Sequence, residues 1–155
     1  MDLLLDTHTL LWSLFDDEHL PKNIKNLIGN DKNTIFVSSA SLWEIEIKHA
    51  KKPTSMPYDA LDIYKAITTA TDYIILPMKA EQIFDLSEII RINYHNDPFD
   101  HLLISIAKNT NATLITHDKI LKEYKQCDIV EYWSNNDNTS KKEPLFDDSG
   151  SFLIN

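Results

Sequence analysis

The sequence predicts an α/β fold, with a short, mainly parallel central sheet covered by helices on both faces. Two observations carry that prediction. Short apolar runs at 2–5, 34–37, 73–76, 113–116 and 128–132 alternate with longer helical segments, the pattern of a parallel sheet wrapped on both sides. Four carboxylates, Asp6, Glu44, Asp100 and Asp118, each stand where a strand or loop hands over to a helix. In a parallel sheet those positions share one edge, outside the carboxyl ends of the strands, where ligands bind.

The elements follow in order. Residues 2–5 form a short buried strand, and 8–15 a helix capped by Thr7. Pro21 opens a second helix running to about Gly29. Residues 34–37 are the second strand. A helix over 41–50 stops before Pro53, because the residue preceding proline disfavours helix. Residues 59–71 are helical after Pro57. Residues 73–76 form a strand ended by Pro77, and 80–91 a helix. Asp97 caps a helix over 98–109, with Pro98 in the favoured first position. A strand at 113–116, a short helix at 118–124 and a last strand at 128–132 complete the order. From Ser134 the chain turns polar and loses periodicity, so 134–155 is expected to be a mobile tail.

At 155 residues the chain is expected to be one domain with a substantial core. The single cysteine, Cys127, excludes an internal disulfide and a multi-cysteine zinc site. No apolar run approaches the ~20 residues of a membrane span, and no signal peptide is visible, so a cytoplasmic protein is expected. Fifteen Lys and Arg against 24 Asp and Glu make a net charge of −9. That argues against a general polyanion binder, but an enzyme with acids in its site can keep its cations local. Lys48, His49, Lys51 and Lys52 are the densest basic cluster, and a solvated helix end accounts for them. With two glycines there is no phosphate-binding loop or dinucleotide fingerprint. No Gly-x-Ser-x-Gly elbow supports serine chemistry.

Taken singly, most of the acids have a structural explanation. Asp6 fits a turn or cap after a strand. Ser41 and Glu44 fit a capping box, and Glu44 also pairs with Lys48 four residues on. Asp118 fits the cap of a short helix. Asp100 resists this treatment. On a helix from 98, Phe99, Leu102, Leu103 and Ile106 make the apolar stripe and Asp100 lies on its flank, with His101, Ser105 and Lys108 on the wet face. A carboxylate over apolar surface is costly unless paired. The joint pattern is harder still to dismiss: four acids at one class of position form a self-repelling cluster that asks for a hard divalent cation bound through oxygen. Such a cluster, when empty, raises the pKa of at least one member. The histidines form no metal set and are expected at the surface, with His8 and His117 each next to a site acid. On the first helix, Leu10, Leu11, Leu14 and Phe15 form one stripe while Trp12 lies opposite Leu10, which suits either a partner-covered face or a thick core.

Four blocks carry a family resemblance. Leu3-Leu-Leu-Asp-Thr-His-Thr-Leu-Leu-Trp12, Ser38-Ser-Ala-Ser-Leu-Trp-Glu-Ile-Glu-Ile-Lys48, Asp97-Pro-Phe-Asp-His-Leu-Leu103 and Leu114-Ile-Thr-His-Asp118 stand in the order seen in PIN-domain proteins. They most resemble the VapC-type toxins of bacterial toxin–antitoxin pairs. The resemblance covers residues 1–133, the expected nuclease domain, and leaves 134–155 outside. It implies a three-layer PIN-like fold and a Mg²⁺- or Mn²⁺-dependent endoribonuclease leaving 3′-hydroxyl and 5′-phosphate ends. It also implies Asp6, Glu44, Asp100 and Asp118 as catalytic and metal-binding acids with Asp97 as an accessory metal ligand, a small protein antitoxin, and a homodimer. His101 departs from the family, where many members carry Arg. The competing class is a catalytically silent PIN-like module for RNA or a protein partner, which would be expected to have lost an acid. A phospho-receiver domain is disfavoured, because Asp6 is followed by Thr7 rather than by a second acid.

Overall fold

The structure, a computed structural model, describes residues 1–90, 92 and 95–132. The expected tail at 134–155 lies outside the described residues. Five strands form one parallel sheet in the order β3-β2-β1-β4-β5: β1 is Asp2–Leu5, β2 Thr34–Ser38, β3 Ile74–Leu76, β4 Thr113–Thr116 and β5 Ile129–Glu131. The helices are α1 (Thr7–Phe15), α2 (Lys22–Ile28), α3 (Ser39–Lys51), α4 (Ala60–Ala70), α5 (Ala80–Phe84) and α6 (Pro98–Thr110). Short 3₁₀ turns occupy Asp17–His19, Asp85–Glu88 and Leu121–Glu123.

Alternation along the strands builds a core on each face. Leu3 and Leu5 point to one side, where they join Leu10, Trp12, Ile24, Ile45, Ile63 and Ile67 from α1 to α4. Leu4 points to the other and packs with Leu102, Leu103, Ile106 and Leu114. The expected three layers are therefore present, and the described strand pairs are all parallel. Strand order reverses beside β1, since β2 lies on one side of it and β4 on the other. The ends of β1 and β4 thus flank the switch point of the sheet.

Several local expectations shift. α1 begins at Thr7 with Asp6 as its cap, so Thr7 does not cap. α3 begins at Ser39, capped by Ser38, whose hydroxyl accepts the Ala40 N–H at 3.0 Å. The Ser41–Glu44 capping box therefore does not form, and both residues lie inside the helix. α5 is short and tightens into 3₁₀ geometry, where the Ser87 hydroxyl donates to the Phe84 carbonyl and Asp85 accepts from Asn109 of α6. The helix expected at 118–124 reduces to the 3₁₀ turn at Leu121–Glu123.

One open alternative is decided and one burial expectation is overturned. Trp12 is 1% exposed, so of the two readings of the second face of α1 the thick core holds. His101 and Ser105 are buried, because α5 and the segment around Tyr124 cover the side of α6 expected to be wet. There the Ser105 hydroxyl donates to the Gln82 carbonyl and His101 bonds to the Tyr124 hydroxyl. Among the described residues no helix is long and apolar enough to cross a membrane.

Candidate active site

The chain rebuilds the carboxyl edge of the sheet from caps and turns. Asp6 leaves β1 and caps α1: one carboxylate oxygen accepts the Thr9 N–H at 2.7 Å, and the other accepts the Thr116 hydroxyl at 2.6 Å. The second bond ties the end of β1 to the end of β4 across the switch point. His117 Nδ1 stands 3.8 Å from the same carboxylate. Burial works to raise the Asp6 carboxyl, but the His117 imidazole and the Thr116 hydroxyl outweigh it and hold the group well below the usual carboxylate range. Asp6 is a fixed anion.

Glu44 lies on the second turn of α3, buried against α1. The Thr7 hydroxyl donates to its Oε2 at 2.5 Å, and Lys48 Nζ sits 2.8 Å from Oε1. The i,i+4 pair expected from sequence is present, so one member of the basic cluster turns inward instead of forming part of a solvated helix end. Thr7 gains this role because Asp6 took over the cap.

Asp97 caps α6 and is exposed, its Oδ1 accepting the N–H groups of Phe99 and Asp100 at 2.9 and 3.3 Å. Asp100, one turn in, is half-buried and bonds through Oδ2 to His95 Nε2 at 3.0 Å. Asp118 follows β4 in a tight turn, its Oδ1 accepting the Ile120 N–H at 3.0 Å while its own N–H donates to the Thr116 hydroxyl.

These groups act on one another. Burial pushes the Asp100 carboxyl up to about 9, and the charges of Asp97, Glu44, Asp118 and Asp6 add to the rise. Four of the five acids singled out by sequence thus act electrostatically on the fifth, Asp100. They do not all reach one point. Among the described residues, the tightest set of possible ligand atoms is that of His95, Asp100 and Asp118, all within 4.8 Å of one another. Asp6, Glu44 and Asp97 are not in that set, and their carboxylates accept other hydrogen bonds.

Sequence reasoning missed His95, placed at the surface by default. It is close to buried, 12% exposed in its side chain, and lies between Asp100 and Tyr124. Its signal was position: it sits two residues before the Asp97 cap, on a segment that must run past the head of α6. His8 is half-buried as well, and burial pushes its imidazole down to about 3, so it is neutral beside Asp6. The donor set suits a hard divalent cation, since it is rich in carboxylate oxygen and the Lys48 ammonium is engaged by Glu44.

The family model for the PIN domain matches residues 3–126. Among solved structures, a chain of VapBC2 from Rickettsia felis, bound to a DNA fragment from its promoter, superposes with a TM-score of 0.62 at 21% identity, covering 84% of this chain and 98% of that one. DNA-bound VapBC from Salmonella typhimurium gives 0.60 at 16% identity, with the same coverage of 84% and 98%. A domain of a functionally unknown protein from Methanocaldococcus jannaschii gives 0.52 at 16% identity, covering 92% and 94%. No curated protein matches the chain. At these identities the structural likeness is one of fold, and it agrees with the family model that spans most of the sequence: this chain belongs to the PIN domain family.

Proposed function

We propose that this chain is a divalent-metal-dependent endoribonuclease, the VapC-type toxin of a toxin–antitoxin pair. The observation that carries the reading is the convergence of Asp6, Glu44, Asp97 and Asp118 on Asp100, whose carboxyl is held near 9 by burial and by those four charges. A surplus of negative charge at a sheet switch point has little use in a silent binding module for RNA, a polyanion. It is what a cation site for phosphodiester hydrolysis requires. Asp6, Glu44, Asp100 and Asp118 would hold Mg²⁺ or Mn²⁺, with Asp97 accessory. When bound, the ion supplies charge neutralisation at the phosphate and a lowered pKa for a coordinated water.

The chain's own groups divide the remaining work. Asp6 is clamped by the Thr9 N–H and the Thr116 hydroxyl, so it presents a rigid negative charge at the carboxyl end of β1. Glu44 is oriented by Thr7 and partly neutralised by Lys48, which limits repulsion within the cluster. Asp100 and Asp118 have carboxylate oxygens within 4.8 Å of each other, a spacing a shared cation can bridge.

A protein partner is part of the reading. The similar chains from Rickettsia felis and Salmonella typhimurium come from VapBC complexes. On this chain Leu61 and Tyr64 of α4, 56% and 48% exposed, offer apolar surface for an antitoxin or a second copy in a homodimer.

The test uses full-length protein freed of any partner, incubated with structured RNA and Mg²⁺ or Mn²⁺. RNA should be cut internally, cutting should stop with EDTA, and Asp100→Ala should abolish it while leaving the fold intact. Full-rate cutting in EDTA overturns the metal requirement, and normal cutting by Asp100→Ala overturns the site assignment.

A further inference from the structure

His95 has no part in the reading above, yet it joins Asp100 and Asp118 in a set of possible metal ligands. Its Nε2 lies 3.0 Å from Asp100 Oδ2, and the three ligand atoms fall within 4.8 Å of one another. Atoms sharing one ion at about 2.1 Å stand roughly 3–4 Å apart. A small closing movement of side chains is therefore enough to bring all three onto a common cation.

The other side of the ring is tied down. His95 Nδ1 is 3.0 Å from the Tyr124 hydroxyl, and the same hydroxyl is 3.0 Å from His101 Nε2. Tyr124 is 2% exposed and His101 is buried, so this bridge is part of the core and holds its geometry. A tyrosine hydroxyl carries one proton. It can donate to His101 and accept from His95 Nδ1–H, or the reverse. The first arrangement leaves the His95 Nε2 lone pair aimed at the two carboxylates. A metal-bound histidine has this form, with its far N–H donated to a fixed oxygen that sets tautomer and ring orientation.

We propose, resting on the nuclease reading, that His95 is a nitrogen ligand of the cation held by Asp100 and Asp118, with Tyr124 and His101 as its positioning residues. The site is then a mixed nitrogen–oxygen set, and a nitrogen donor suits first-row transition ions, Co²⁺ above Mn²⁺, better than the oxygen-seeking Mg²⁺. The chain should bind Mn²⁺ at least tenfold more tightly than Mg²⁺.

The experiment is cation binding by the full-length protein without RNA. Calorimetric titrations with Mg²⁺, Mn²⁺ and Co²⁺ are run on the parent, His95→Gln, Tyr124→Phe and Asp100→Ala. Electron spin-echo modulation of bound Mn²⁺ then reports directly on nitrogen in its coordination shell. We expect ¹⁴N coupling in the parent and none in His95→Gln. Mn²⁺ and Co²⁺ affinity should fall at least tenfold in that variant while Mg²⁺ affinity changes by less than threefold. Tyr124→Phe should keep the ¹⁴N signal and weaken Mn²⁺ about tenfold, as loss of an outer-shell partner does. Parent protein that binds Mn²⁺ without ¹⁴N coupling, or a coupling that survives in His95→Gln, overturns the inference. If His95→Gln does not fold, the signal in the parent and the Tyr124→Phe titration decide. Mn²⁺ binding that is lost in Asp100→Ala but shows no nitrogen leaves the nuclease reading standing. Mn²⁺ binding absent from the parent, or unchanged in Asp100→Ala, overturns both.

Discussion

Asp100→Asn isolates the energetic consequence of the acid cluster. The Asp100 carboxyl is pushed from its ordinary 3.8 up to about 9, by burial first and then by Asp97, Glu44, Asp118 and Asp6. Between those values the native chain keeps a proton that the unfolded chain releases. The Asp100 contribution to stability is therefore fully present below about 3.8, declines as pH rises, and levels off above about 9. The side chain is 22% exposed, so the cost at pH 7 is set at about 2–4 kcal/mol, below the full linkage value. Asparagine removes the ionisable group and keeps the shape, and its amide N–H can still donate to His95 Nε2. In EDTA at pH 7 the variant should melt roughly 5–10 °C above the parent, at ~2–4 °C per kcal/mol for a domain of this size. Between about pH 7 and 9, above the range where His8 contributes, the parent should keep losing melting temperature while the variant stays nearly level. With Mg²⁺ at tenfold excess over Kd the parent should gain about 1.4 kcal/mol and the variant clearly less. Differential scanning calorimetry across pH, with EDTA and with Mg²⁺, measures all of this. An ordinary helix-start charge predicts the opposite: asparagine melting slightly lower in EDTA, and equal shifts with Mg²⁺. That outcome would refute the cluster.

Two further predictions test the surroundings. Trp12→Ala removes a side chain that is 1% exposed and packed edge-on against His117 at 4.9 Å, so it should cost about 3–5 kcal/mol in urea unfolding; a loss under about 1 kcal/mol would contradict a core role for Trp12. His8, pushed down to about 3 by burial, should show no imidazole inflection by NMR between about pH 5 and 8, where an unperturbed histidine titrates. The same shift makes stability fall as pH drops below 6.5, because the unfolded chain takes up a proton that the native one refuses; an inflection near 6.5 would show that His8 is solvated.

Local chemistry wrote much of this protein into its sequence. Short apolar runs became strands, Pro98 opened α6 with Asp97 as its cap, and Asp59 and Asp62 formed a capping box at the head of α4. Those features depend on neighbours a few residues apart, which a one-dimensional pattern reports. The places of Asp6 and Asp118, just past the ends of β1 and β4, were legible for the same reason, whereas Glu44 and Asp100 lie inside α3 and α6 rather than at a strand-to-helix handover. Cap register was less so: Ser38, Ser39 and Ser41 all offer hydroxyls, and the hydrogen-bonded length of β2 up to Ser38 decided which one starts α3.

Only the tertiary structure decided what lies opposite each face. The wet side of α6 was inferred from periodicity, but α5 and the Tyr124 segment, more than fifteen residues away on either side, close over His101 and Ser105. Trp12 is core because helices from later in the chain complete the layer around α1. The pairing of β1 with β4 joins Asp6 to Thr116 across 110 positions, and the same fold brings His95 between Asp100 and Tyr124. The proton affinity of Asp100 belongs to no single residue either, since it is the sum of burial and four separate charges. Hydrophobic period and capping are short-range and survive reading along one dimension. Burial and electrostatics depend on distance through space, and that distance exists only once the sheet has closed.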